Sequence, residues 1–282
     1  MTGMSESAEK QGEFVDRRVA FLGVGMMGEA LLSGLLRSGD PTRIVVSDHS
    51  AERQAQVAEK YGVQSATTAE AVAGATTVIA AVKPPDMGAL LDEIAAGLEP
   101  GALVISVAAG ITTAYLEAHL PEGTPVVRVM PNTPALVGEG MTAISPGTHS
   151  ESRHLAAAQD LLSSSGTVIS VPESKLDTVT AISGSGPAYV FYVVEAMVEA
   201  GVLLGLPRDT STELVVQTLY GAATMLKETG DHPSLLRERV SSPGGTTIAA
   251  LRQLDDHKVR AAFLTAMEAA ARRSAELASD QG

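Results

Sequence analysis

Val19-Ala20-Phe21-Leu22-Gly23-Val24-Gly25-Met26-Met27-Gly28-Glu29-Ala30-Leu31-Leu32 is the stretch that decides the fold. Four apolar residues suited to a buried strand run into a Gly-x-Gly-x-x-Gly turn, and the turn opens into residues with helical spacing. The glycines differ in what they allow. The first permits a tight turn, the second lets the backbone approach a pyrophosphate, and the third lets helix and strand pack closely. The helix that follows aims unpaired N–H groups and the positive end of its dipole at the phosphates. The glycines alone are a common pattern. With a strand before them and a helix after, they predict a nicotinamide dinucleotide, NADPH or NADH, held by Gly23, Val24, Gly25, Met26, Met27 and Gly28.

Downstream of this turn, short β-type runs at Ile44–Ser47, Thr77–Val82, Leu103–Val107, Val126–Met130, Met141–Ile144 and Val168–Val171 alternate with helical patterns. The helices are expected at Glu29–Arg37, Ala51–Tyr61, Met87–Leu98, Thr113–His119 and Ser152–Leu162. This alternation predicts a mostly parallel sheet covered by helices, its later strands running in a different sense. After Pro172 strand signals stop, and helices are expected at Pro187–Leu204, Asp209–Glu228, Thr247–Leu254 and Asp256–Leu277. Ser183-Gly-Ser-Gly-Pro187 reads as a loop with proline in the first helical turn, and Thr210-x-x-Glu213 as a capping box. The fold class is therefore an α/β Rossmann-like N-terminal domain followed by an all-helical C-terminal domain. The expected division is a flexible tail at residues 1–16, the dinucleotide domain at 17–172, and a helical dimerisation and substrate-binding domain at 173–282.

Composition narrows the class. The chain has 282 residues, 45% apolar and 19% charged, enough to bury a core in each of two domains. With no cysteine, disulfides and thiolate chemistry are excluded. A net charge of −13 without a basic run argues against nucleic acid. The polar N-terminus has no signal-peptide core, and a cytoplasmic protein is expected. Ala188–Leu206 is long and apolar but carries Glu195 and Glu199 one turn apart, so it reads as a buried helix and no membrane partner is expected. Small and apolar residues lie on several faces of the C-terminal helices, including Ala196, Ala200, Gly201, Gly221 and Ala269. One small bundle cannot bury them all, which predicts a homodimer.

Further candidates sit where strands end. Asp48 lies about twenty residues past the glycine motif, where an acidic side chain accepts the ribose hydroxyls and favours NADH. His49, Ser50 and Arg53 are donors close by that would instead accommodate a 2′-phosphate. Val82, Lys83 and Pro84 follow the strand beginning at Thr77 and should line the cofactor channel. Ala109 and Asn132 hold equivalent edge positions and should border the nicotinamide.

Ser241-Ser-Pro-Gly-Gly-Thr-Thr247 is a second anion site in prospect. Glycines and hydroxyl residues immediately before a helix present consecutive N–H groups to a small anion, and a carboxylate fits. With the nucleotide assigned upstream, this points to a carboxylic acid substrate. No His, Asp or Glu cluster has metal-ligand spacing, and Ser185 lacks the Gly-x-Ser-x-Gly context of a hydrolase, so no metal is expected.

Phe21-Leu-Gly-Val-Gly-Met-Met-Gly28, Ala81-Val-Lys-Pro84, Val107-Ala-Ala-Gly110, Met130-Pro-Asn-Thr-Pro134, Ser183-Gly-Ser-Gly-Pro-Ala-Tyr189 and Ser241 to Thr247 together resemble the pyrroline-5-carboxylate reductase family. The resemblance runs from about Arg18 to Leu277, and Val240–Asp255 looks like the family signature. It implies the last step of proline biosynthesis, hydride transfer from NAD(P)H to the C=N carbon of 1-pyrroline-5-carboxylate. It also implies that Ser242, Gly244, Gly245, Thr246 and Thr247 hold the substrate carboxylate. Thr247, with Ser242, is then catalytic, reaching the ring nitrogen, and Glu173 lies near the substrate amine. Thr68 joins the cofactor contacts. The resemblance further implies interlocked helical domains, the Ser242–Thr247 loop against the partner's cofactor domain, and a decamer as the larger assembly. Two positions depart from the family: Asp48 stands where many relatives carry a small polar residue or asparagine, and Arg239 where some carry asparagine.

Three other functions compete. A reductase of a related cyclic imine would use the same parts. A β-hydroxyacid dehydrogenase needs a lysine on the first helix of the second domain; the Pro187–Leu204 stretch has none. A nucleotide-binding regulator without turnover would not need the Ser242–Thr247 pocket.

Overall fold

The computed structural model describes residues 18–37 and 39–279; the tail expected at 1–16 lies outside them. The first half alternates strand and helix: β1 (Val19–Leu22), α1 (Met26–Leu35), β2 (Ile44–Ser47), α2 (Ala51–Tyr61), β3 (Gln64–Ser65), α3 (Thr68–Val72), β4 (Thr77–Ala80), α4 (Met87–Ala95), β5 (Leu103–Ser106), α5 (Thr113–His119), β6 (Val126–Met130), β7 (Gly140–Pro146), α6 (Ser152–Ser163) and β8 (Gly166–Ser170). The sheet order is β3-β2-β1-β4-β5-β6-β7-β8. Pairing is parallel except between β6 and β7, where Val129 faces Ile144 in an antiparallel register, so the change of sense expected for the later strands falls there.

Every residue of β1, β2, β4 and β5 is buried, as a sheet covered on both faces requires. The two faces separate cleanly along β1. Val19 and Phe21 join Leu31 and Leu35 of α1 and Leu161 of α6 in one core. Ala20 and Leu22 join Leu91 and Ile94 of α4 and Leu116 of α5 in the other. Phe21 is fully buried, and truncating it to alanine would cost about 3–5 kcal/mol.

The chain reverses direction across the sheet between β1 and β4. Their carboxyl ends therefore leave a crevice where an open α/β sheet binds ligands. β3 and α3 escape the sequence reading because two and five residues are too short to display a period. α3 is instead fixed by a capping box in which Thr67 and Glu70 exchange hydrogen bonds.

The described residues fall into two compact units, one reaching Ser185 and including the chain from Ala270, the other Gly186–Ala269. The division expected at residues 172 and 173 marks the end of the sheet, whereas the compact boundary lies farther on. The reason is that Glu173 bonds to Thr113 and Arg128, Leu176 and Ala181 are buried, and Asp177 accepts from Ser274 at 2.7 Å. The loop expected at Ser183–Pro187 is also absent as such. α7 (Leu176–Val179) continues into a π-helical turn over Thr180–Gly184.

The second unit contains α8 (Gly186–Leu203), α9 (Arg208–Thr229), α10 (Pro233–Arg239) and α11 (Thr246–Asp256), and the final helix α12 (Val259–Ser279) starts within it. Thr210 lies inside α9, so the capping box expected there does not form. Pro207 occupies the N-cap and helical hydrogen bonding begins sooner. α8 and α9 approach closely where Ser211 occupies the space beside Gly201 and donates to the Val198 carbonyl at 3.0 Å.

α8 corrects a further expectation, since it is not buried within this chain. In the most apolar window of its run only 6% is buried; Tyr192 is 75% exposed and Leu203 86%. The helix is apolar on more sides than the rest of its own unit covers.

Candidate active site

In the first unit the site grows from the turn after β1. Gly23 sits at φ +90°, and a β-carbon there would come within 2.7 Å of the Ala81 carbonyl oxygen. Only glycine accepts both the left-handed backbone and the close approach of the neighbouring strand end. At Gly28 a β-carbon would collide with the Gly23 carbonyl, whereas at Gly25 it would meet nothing. The second glycine thus faces open space, which leaves room for a phosphate to come close to the backbone. Gly25 caps α1 without any side-chain acceptor, leaving the first N–H groups of the helix for a ligand.

The loop is braced by Asp48, whose side chain is only 6% exposed. One carboxylate oxygen accepts from the Val24 N–H at 2.8 Å and the other from the Ser50 N–H at 2.9 Å. The Asp48 N–H donates in turn to Gln54 at 3.0 Å. Arg53, counted among the donors for a 2′-phosphate, points elsewhere. Its Nε donates to the Val24 carbonyl at 2.8 Å and its Nη2 pairs with Glu29.

A cavity of about 540 Å³ opens beside the loop. Gly23, Gly25, Asp48, Thr68, Val82 and Lys83 are among its walls, while Met26, Met27, Pro84, Ala109 and Asn132 are not. Asp86, Ala89, Leu90 and Glu93 form a wall that sequence reasoning missed, although their spacing of three, one and three residues marks one face of a helix. The glycine cradle, the uncapped helix and the cavity fit a dinucleotide.

Elsewhere in this unit two expected site residues are heavily engaged. Asn132 is buried; its amide donates to the Ser183 carbonyl at 3.0 Å and accepts from the Met141 N–H at 2.8 Å. Its side chain thus holds the π-helical turn to the sheet. Glu173 accepts from the Thr113 N–H at 2.7 Å, the Thr113 hydroxyl at 2.6 Å and Arg128 at 3.0 Å. Partial burial pushes its carboxyl pKa up, but the Thr113 bonds and the adjacent guanidinium outweigh this and hold it below the ordinary glutamate range.

The second unit carries the other anchor. Gly244 is left-handed at φ +69°, and Gly245 closes the turn by donating to the Ser242 carbonyl at 3.0 Å. Gly245 is the N-cap of α11 and no side chain caps it. The first N–H groups of α11 therefore lack intrahelical acceptors, and the hydroxyls of exposed Ser242 and Thr246 and half-buried Thr247 lie around them.

A Rossmann-type sheet with its glycine cradle at the switch point, followed by a helical unit with an uncapped, glycine-led helix start, fits a nicotinamide-dinucleotide-dependent oxidoreductase. Comparison with known proteins narrows the class. Residues 173–277 match the pyrroline-5-carboxylate reductase dimerisation family, and residues 18–110 match the family described as coenzyme F420-dependent NADP oxidoreductase. A pyrroline-5-carboxylate reductase of Corynebacterium melassecola is 47% identical over 264 residues, covering 92% of this chain and 98% of that protein. The solved pyrroline-5-carboxylate reductase of Coxiella burnetii is 36% identical, with a TM-score of 0.88 over 93% of this chain and 98% of its own. That of Plasmodium falciparum, solved with NADP bound, is 30% identical with a TM-score of 0.85, covering 94% and 99%. The chain belongs to the pyrroline-5-carboxylate reductase family. Membership of a family with a dimerisation domain supports a homo-oligomer, and supplies a reason for the uncovered apolar surface of α8.

Proposed function

We propose that the protein reduces 1-pyrroline-5-carboxylate to L-proline with NADPH or NADH, as the last step of proline biosynthesis. The observation that carries this reading is the presence of two glycine-capped helix starts with no side-chain cap, in a chain 47% identical to such a reductase along nearly its whole length. When bound, the nicotinamide supplies the hydride. The chain's own residues bind, orient and stabilise charge. A protonated cyclic imine is already a good hydride acceptor, so positioning should supply most of the acceleration.

In this reading the peptide N–H groups between Gly23 and Gly28 receive the diphosphate. Asp48 lies at the adenosine ribose, Thr68 and Lys83 flank the adenosine side with Val82 and Pro84, and Ala109 and the Asn132 loop border the nicotinamide. Gly244, Gly245, Thr246 and the Ser242 hydroxyl receive the substrate carboxylate, with Thr247 hydrogen-bonding the ring nitrogen. Glu173 stays ionised near the substrate amine because Thr113 and Arg128 hold it so. Its ionisation would favour the protonated imine electrostatically. The assembly is a homodimer, with a decamer as its larger form, and the compartment is the cytoplasm.

The direct test is loss of nicotinamide absorbance with pyrroline-5-carboxylate, NADH and NADPH being run in parallel. Substrate-dependent oxidation supports the reading. Cofactor binding without oxidation would discard it in favour of another cyclic imine or a regulator without turnover.

A further inference from the structure

Behind the glycine loop lies a charged cluster that the proposed chemistry does not use. Glu29, in the first turn of α1, gathers three donors from α2: Arg53, Lys60 at 2.8 Å and the Tyr61 hydroxyl at 2.9 Å. Its side chain is only 15% exposed. These bonds, led by that from Lys60, outweigh burial and draw its pKa down to about 2, so it is a carboxylate throughout the physiological range.

The consequence lies in where this puts Arg53. Val24 is gripped from two sides, its N–H by Asp48 and its carbonyl by Arg53. The guanidinium is thus held against the same residue that Asp48 braces, yet it is not among the cavity walls. The charged wall residues are Asp48, Asp86 and Glu93 against Lys83, with exposed His49 also lining the cavity, its Nδ1 3.1 Å from Asp48 Oδ1. A 2′-phosphate would meet a mostly acidic wall, while the arginine best suited to bind it is turned away.

We propose that Glu29 is a cofactor-selectivity residue acting through Arg53: it holds the guanidinium behind the glycine loop and so biases the site against a 2′-phosphate. The inference rests on the reading that Asp48 marks the adenosine ribose. Glu29 is a positioning residue here, since it does not line the cavity. Arg53 is a latent phosphate ligand, and releasing it would let the first turn of α2 present a guanidinium beside Asp48.

The test compares kcat/KM for NADPH and NADH in the full-length protein and in Glu29→Met, Arg53→Ala, the double variant and Asp48→Ser. Glu29→Met should raise the NADPH to NADH ratio about tenfold, the effect expected of one new charge-assisted contact. The double variant should return to the ratio of Arg53→Ala, and Arg53→Ala alone should match the parent. A purely structural role for Glu29 would depress both cofactors together and leave the ratio constant, which overturns the proposal. So does a selective loss of NADPH use in Arg53→Ala, for then the arginine already touches the phosphate; this arm decides the matter even if Glu29→Met does not fold. If Asp48→Ser shifts the ratio and Glu29→Met does not, only this inference fails. If neither does, the placement of the ribose fails with it.

Discussion

Replacing Asp48 with asparagine should weaken the protein and its cofactor site together, by an amount the hydrogen bonds allow to be worked out. The carboxylate accepts from Val24 at 2.8 Å and from Ser50 at 2.9 Å while almost wholly buried. Asparagine keeps one oxygen for one of these donors and turns an NH2 group toward the other. A charge-assisted bond thereby becomes a neutral one, and a second N–H loses its acceptor. Hydrogen bonds to charged groups are worth about 1.5–3 kcal/mol, and an unsatisfied buried donor costs about 1–3 kcal/mol. A loss of about 2–4 kcal/mol follows, or a melting point lower by roughly 5–15 °C for a unit of this size. Because the broken bond anchors Val24 within the glycine loop, KM should rise for both cofactors. Loss of the negative charge should at the same time raise the NADPH to NADH ratio of kcat/KM about tenfold, by relieving repulsion of the 2′-phosphate. Scanning calorimetry and initial rates with each cofactor measure both parts. A melting point within about 2 °C of the parent, with KM unchanged for both cofactors, would refute the idea that Asp48 braces the loop.

Further outcomes are expected elsewhere. Thr247→Ala should raise KM for pyrroline-5-carboxylate about tenfold, one hydrogen bond's worth, and leave cofactor dissociation constants near the parent's; equal loss of both would mean the substrate loop is misplaced. Gly28→Ala should abolish dinucleotide binding, because its β-carbon meets the Gly23 carbonyl, and titration by nicotinamide fluorescence would show it. Tyr192→Glu places a charge on a residue 75% exposed within one chain, and sedimentation should show a shift toward monomer; an unchanged oligomer would move the interface off that part of α8. Glu29 and Glu173 both have folded pKa values below their ordinary 4.5. Their stabilisation is present above about pH 4.5 and is lost as pH falls through the folded values, toward about 2 for Glu29. Urea midpoints should therefore fall on acidification in this window, and less steeply in Arg128→Met and Glu29→Met. Parallel curves in all three proteins would contradict the assigned ion pairs.

The parts of this protein that could be read from its sequence are those whose physics is local. A buried strand announces itself in Val19–Leu22, and Gly23 and Gly28 are required by a turn that only a strand-to-helix crossing demands. The bounds of β2 and β6 come out of short β-type runs buried on both faces, and those of α2 and α5 out of helical spacing that begins just after the capping residues Ser50 and Thr112. Where a residue's role is set by a neighbour far along the chain, periodicity is silent. Asp48 reads as a ribose ligand and also braces Val24. Asn132 reads as a loop residue facing cofactor, while its amide joins Ser183 to Met141 across the sheet.

The contrast is sharpest at Arg53, where local reading and tertiary context give opposite answers. Its position just after β2, in the first turn of a helix, gives it the reach of a 2′-phosphate ligand, and by sequence it competes with Asp48 for control of cofactor choice. Only the arrival of Glu29 from α1, with Lys60 and Tyr61 completing the cluster, decides the contest. A carboxylate that already holds one ammonium and one hydroxyl still attracts the guanidinium, because Lys60 and Tyr61 share Oε1 and leave Oε2 to Arg53. Selectivity at such a site is therefore a property of three elements, α1, α2 and the end of β2, and no window along the chain contains it.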